Sequence, residues 1–115
     1  MKNTLSIAAV VAIGATASYA EQPRAAFLYV GPVGDAGWTY RHDVGRQCLE
    51  EAGYETAFVE SVPETPDAAN IERDFIAQGY DVIFATAFGY QPFTQQVAGE
   101  NPDVAFFGIT PTVAP

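Results

Sequence analysis

The sequence predicts an α/β fold, a doubly wound parallel sheet with helices on both faces. Three observations carry this. Short apolar runs alternate with amphipathic segments from Ala25 to Ile109, the pattern of repeated strand–helix–strand units. One run, Val82-Ile83-Phe84-Ala85, is apolar on both sides, as a strand between two helical layers must be. The run Ala25 to Val30 passes straight into a glycine-rich turn, Gly31-Pro32-Val33-Gly34-Asp35-Ala36-Gly37, and then into helix. A turn of that kind is where an open α/β sheet keeps a ligand, because helix N-termini point amides into the crevice there.

The elements follow in order. The first strand covers Ala25 to Val30, and its turn opens a helix from residue 37 to about residue 53. Val44, Cys48, Leu49 and Ala52 form the expected apolar stripe, with Arg46, Glu50 and Glu51 facing away and Gly53 as the stop. On that stripe the lone Cys48 reads as a small core residue. Tyr54 to Glu60 alternates and predicts a second strand. Thr65-Pro66-Asp67 supplies a cap, a first-turn proline and an early acid for a second helix, with Ala68, Ile71, Phe75 and Ile76 inward and Gly79 at its end. Asp81 to Thr86 is the third strand, followed by a second glycine and aromatic turn, Ala87-Phe88-Gly89-Tyr90-Gln91-Pro92-Phe93, and a short helix to about Gly99. Asn101-Pro102-Asp103 breaks that helix, and Val104 to Ile109 is the fourth strand. No helix follows to cover that strand, so another chain or a longer protein is expected to do so.

Composition narrows the function. Met1-Lys2-Asn3, an apolar run from Leu5 to Ala15 and Ala17-Ser18-Tyr19-Ala20 have the parts of a secretory signal, so residues 1–20 are expected to be removed on export. The run is short of the roughly 20 apolar residues that span a membrane. Residues 21–115 then carry four arginines against 14 acidic residues, a net charge of −10. Such a surface repels nucleic acid and anionic lipid. A single cysteine permits no internal disulfide, and the fold must hold by burial.

Two motifs carry a resemblance. Gly34-Asp35-Ala36-Gly37-Trp38 with Arg41-His42-Asp43, and Gln78-Gly79-Tyr80-Asp81-Val82-Ile83-Phe84-Ala85-Thr86 running into Phe88-Gly89-Tyr90, resemble the basic membrane protein or PnrA-like substrate-binding proteins of ABC transporters. The similarity covers residues 25 to 110. It implies the N-terminal lobe of a type I periplasmic-binding-protein fold, whose second lobe would close over a purine base or nucleoside. It also implies an ABC permease as partner, a periplasmic location, and neither enzymatic activity nor a cofactor. By position, Asp35 matches the acidic residue of the first loop, and Trp38 stands where many members stack a phenylalanine on the base. Thr39 stands where they have a hydrogen-bonding asparagine, and Phe88 and Tyr90 lie in the second ligand-facing turn. The Trp-Thr pair in place of Phe-Asn favours a planar heterocycle over a nucleoside in particular. No cysteine stands near the signal cut, which favours a free form over a lipid-tethered one.

The residues also stand on their own. Trp38 at a helix start could be simple core packing or a cleft wall, and an indole N–H that needs an acceptor favours the wall. Asp35 could cap helix amides as well as bind a ligand, and Tyr40 depends on where the helix begins. His42 has no second histidine or paired cysteine for a metal and no nucleophile at motif spacing, so packing is expected. Asp43 reads as solvated or paired with Arg46. A dinucleotide enzyme, with Glu60 as ribose acid, would need Gly-x-Gly-x-x-Gly where the chain has Gly-x-x-Gly-x-x-Gly. A nucleoside hydrolase would need an aspartate run that is absent. A ligand-sensing receptor domain of the same fold, or a fragment without function, is the alternative to transport.

Overall fold

The computed structural model describes residues 21–110; the expected export signal, residues 1–20, lies outside the described residues. Four strands and three helices alternate: β1 (Ala25–Leu28), α1 (Trp38–Glu51), β2 (Thr56–Val59), α2 (Asp67–Ala77), β3 (Val82–Ala85), α3 (Gln91–Glu100) and β4 (Ala105–Gly108). The sheet is wholly parallel in the order β2-β1-β3-β4, so the expected doubly wound architecture is the one observed. Each strand is two or three residues shorter than the stretch expected for it.

Alternation along β1 divides the core. Ala26 and Leu28 face a layer with Ala68 and Phe75 of α2, Ile83 and Tyr90, while Ala25, Phe27 and Tyr29 face the α1 side with Leu49, Val82 and Phe84. In-register pairing places Phe58, Phe27, Phe84 and Phe107 in one row across all four strands. Phe27 stacks on Phe84 at 4.5 Å and Phe84 on Phe107 at 5.0 Å, and Phe107 remains 50% exposed at the sheet edge. The expected uncovered apolar surface is this end of the row.

Helix α1 departs from the expected stripe. Its buried residues are Thr39, Asp43 and Arg46, whereas Cys48 is exposed and Leu49 only half-buried. Arg46 lies over the Phe58 ring at 4.6 Å and donates Nε–H to Asp43 Oδ1 at 2.6 Å, and the Tyr29 hydroxyl donates to the same oxygen at 3.1 Å. A second arm of Arg46 pairs with Glu50 and Thr56. An arginine can cover apolar surface with its stem and ring-facing guanidinium while its charge is paired, so the helix turns this face inward. The Asp43–Arg46 pairing matches the sequence reading; its burial does not.

Helix α2 buries Ala68 and Phe75 as expected, and between them Glu72, fully buried, which accepts the Thr94 hydroxyl of α3 at 2.6 Å. Its second oxygen has no partner among the described residues. Burial drives its pKa up to about 7, against the opposing hydrogen bond from Thr94 and charge of Arg73. Arg73 and Glu100 join the same two helices at the surface, with contacts of 2.9 Å.

Candidate functional site

Strands β1 and β3 are neighbours whose chains leave in opposite directions, β1 towards β2 and β3 towards β4. The switch point therefore falls between them, and loops leaving their carboxyl ends flank a crevice. Three turns meet at this end of the sheet: residues 29–37, 60–66 and 86–90.

The first turn is held by carboxylates. After a single 3-10 turn, Val33–Asp35, the chain passes through Ala36 at φ 54, a left-handed position taken by a non-glycine residue. The Asp35 carboxylate accepts backbone N–H from Gly37 at 2.8 Å, Tyr40 at 3.0 Å and Thr39 at 3.0 Å. The Gly37 and Tyr40 amides above all hold its pKa below the ordinary value. Asp35 thus satisfies amides of the first turn of α1 from two residues before its N-cap, Gly37. Thr39 is buried, and its Oγ1 accepts the Gly31 N–H at 3.2 Å, which places it beneath the turn as a support. Glu60 accepts the Val33 N–H at 2.8 Å and braces the same turn from the end of β2.

Trp38 projects from the first residue of α1 and is 45% exposed. Its indole N–H donates to the Thr86 carbonyl oxygen at 2.6 Å, so the ring reaches from α1 across to the end of β3. His42, one turn on, packs against the indole at 4.7 Å with an interplanar angle of 66°. Burial lowers the His42 pKa, which leaves the imidazole neutral at pH 7 and in the packing role expected of it. Thr86 is itself buried, and both its hydroxyl, at 2.6 Å, and its N–H, at 3.2 Å, donate to the Leu28 carbonyl oxygen.

The second aromatic turn separates its two rings. Phe88 is 60% exposed, whereas Tyr90 is fully buried and donates its hydroxyl to the Val62 carbonyl oxygen at 2.6 Å. Tyr90 is therefore a core residue, a correction to its placement among ligand-facing side chains: in a one-turn 3-10 segment, rings two apart point to different sides. Glu64 Oε1 accepts the Gly89 N–H at 2.7 Å. A side chain at Gly89 would begin only 2.5 Å from the Glu64 carboxyl, so this close approach requires glycine. Phe88 also lines a cavity of about 200 Å³ between α3 and β4, with Thr94, Gln95, Phe106 and Ile109.

This end of the sheet thus offers an exposed, pinned indole, an exposed phenyl ring, and carboxylates already engaged by loop amides. Among the described residues no group of three or more His, Cys, Asp or Glu side chains could hold a metal ion. Thr86 and Glu64 escaped the sequence reading. Thr86 closes an apolar strand where the next strand-facing position turns polar, and that change is the only signal it gives.

The architecture is the periplasmic-binding-protein fold of ABC transporter solute-binding proteins. A solute-binding protein from Conexibacter woesei DSM 14684 superposes with a TM-score of 0.69 at 22% identity, over 74% of this chain and 28% of that one. Solute-binding proteins from Aeropyrum pernix K1 give 0.63 at 21% identity, over 76% of this chain and 24% of theirs. The chain belongs to the family of PnrA-like ABC transporter substrate-binding proteins, whose model matches residues 22–114. It is 42% identical over 97 residues to a purine-binding protein of Brucella abortus (strain 2308), across 82% of this chain and 28% of that protein. It is also 36% identical over 95 residues to a putative ABC transporter glucose-binding protein of Haloferax volcanii, across 81% of this chain and 24% of that protein. The chain spans about a quarter of the length of these relatives.

Proposed function

We propose that residues 21–115 form one lobe of an exported solute-binding protein that passes a planar, neutral heterocycle, a purine base above all, to an ABC permease. Residues 1–20 would direct export and be cleaved, which leaves the protein free in the periplasm. The observation that carries the ligand class is Trp38: a half-exposed ring, fixed at the switch-point crevice, with its N–H already bonded inside the protein. Such a ring offers a ligand its face, and stacking on an aromatic face contributes about 1–3 kcal/mol per base. Phe88, exposed on the neighbouring turn, supplies further apolar surface. Asp35 and Thr39 serve the site by shaping the turn around it. A second lobe closing over the ligand would exclude water and strengthen its hydrogen bonds. The purine-binding relative supports this reading.

A sugar is the second reading, since an indole face also packs on the C–H face of a pyranose, and the Haloferax relative bears a glucose-binding name. Titration calorimetry of the longest in-frame product with adenine, adenosine and glucose separates the two. Saturable binding of adenine or adenosine without glucose supports the purine reading, and glucose alone overturns it.

A further inference from the structure

We infer that Thr86 is a positioning residue that sets the orientation of Trp38, so that the indole acts as a fixed stacking plate. Three observations lead there. The Thr86 hydroxyl and N–H both grip the Leu28 carbonyl oxygen, which joins the ends of β1 and β3 at the switch point. The carbonyl of this doubly anchored residue accepts the indole N–H at 2.6 Å across a separation of 48 residues. The indole is otherwise 45% exposed, with His42 as its neighbouring ring, so without that bond little would define its tilt. A hydroxyl buried in the sheet thereby determines which way a solvent-facing ring points. Because the N–H is occupied, Trp38 donates no hydrogen bond to a ligand and recognises it through the ring alone.

The second part rests on the ligand reading above; the first does not, and the chain's single tryptophan allows the two to be separated. Excited selectively, its fluorescence reports Trp38 alone. Thr86→Val keeps the shape of the side chain and loses the hydroxyl, whereas Thr86→Ser keeps the hydroxyl. In Thr86→Val, acrylamide quenching of Trp38 should rise about twofold and a fast component should enter its anisotropy decay, while Thr86→Ser stays at the wild-type values. Unchanged quenching and anisotropy in Thr86→Val with an unaltered circular dichroism spectrum would overturn the assignment. If Thr86→Val does not fold, the single indole N–H resonance of the wild-type chain decides: protection from solvent exchange by tenfold or more supports the pin, and exchange at the free rate overturns it. In the longest in-frame product, adenine affinity should fall about fivefold in Thr86→Val and return in Thr86→Ser. Trp38→Phe, which keeps a ring but loses the pinned N–H, should lose adenine affinity about fivefold, as Thr86→Val does; a loss above tenfold would overturn recognition by the ring alone. No adenine binding by wild type, with the fluorescence effect intact, would remove the purine reading and leave the positioning role standing.

Discussion

At the scale of single residues, the two rings of the second aromatic turn and the indole of the first have separable roles. On the reading proposed above, Trp38→Ala in the longest in-frame product should weaken purine binding by about 5- to 150-fold, the range that corresponds to a lost stacking contact, while the melting temperature of the unliganded protein changes little. Calorimetry with unchanged affinity would remove Trp38 from the site. Tyr90→Phe should do the reverse. Losing the hydroxyl that bonds to Val62 leaves a buried carbonyl without that donor and should cost about 1 kcal/mol in urea denaturation, with affinity unaltered. That Trp38 would be partly exposed with a bonded N–H was legible in the sequence, because a tryptophan is seldom fully buried and its indole needs an acceptor. The fates of Phe88 and Tyr90 were not, since two rings flanking one glycine differ only in the backbone angles between them. Asp35 could be read either way, and its three amide contacts make the capping role concrete.

At the scale of elements, buried charge is what the apolar pattern hid. Asp43 and Arg46 fasten α1 to β1 and β2, and Asp43→Ala would leave the Arg46 guanidinium buried beside Phe58 without that partner. A loss of about 3 kcal/mol in chemical denaturation is expected, since breaking a buried pair costs more than the pair itself contributes. In α2, Glu72 binds its proton more tightly in the folded chain than in the unfolded one. Its contribution to stability is therefore full below the unfolded value of 4.5 and is lost as pH rises to about 7, a total of about 3 kcal/mol. Glu72→Gln should thus match the wild type near pH 4 and exceed its stability near pH 8; an offset equal at both pH values would refute this. The spacing of Ala68, Glu72 and Phe75 places all three on one helix face, so a signal existed. Reading every Glu and Arg as solvent-facing discarded it, and the same habit put Cys48 inside and Arg46 outside.

At the scale of the molecule, strand and helix order was legible almost completely. Parallel α/β units write their alternation into the sequence, and right-handed crossovers leave few ways to arrange them. On the reading proposed above, one lobe by itself cannot close over a ligand, so residues 21–115 expressed alone should bind adenine at least tenfold more weakly than the longest in-frame product; submicromolar binding by the single lobe in calorimetry would contradict that. The phenylalanine row has a practical consequence for such work. With Phe84 and Phe107 stacked and Phe107 open at the sheet edge, an environment-sensitive dye would find an aromatic platform on the native chain and glow before any heating. Dye-based melting curves would then start bright and blur the transition, which makes the chain's own indole the better thermometer.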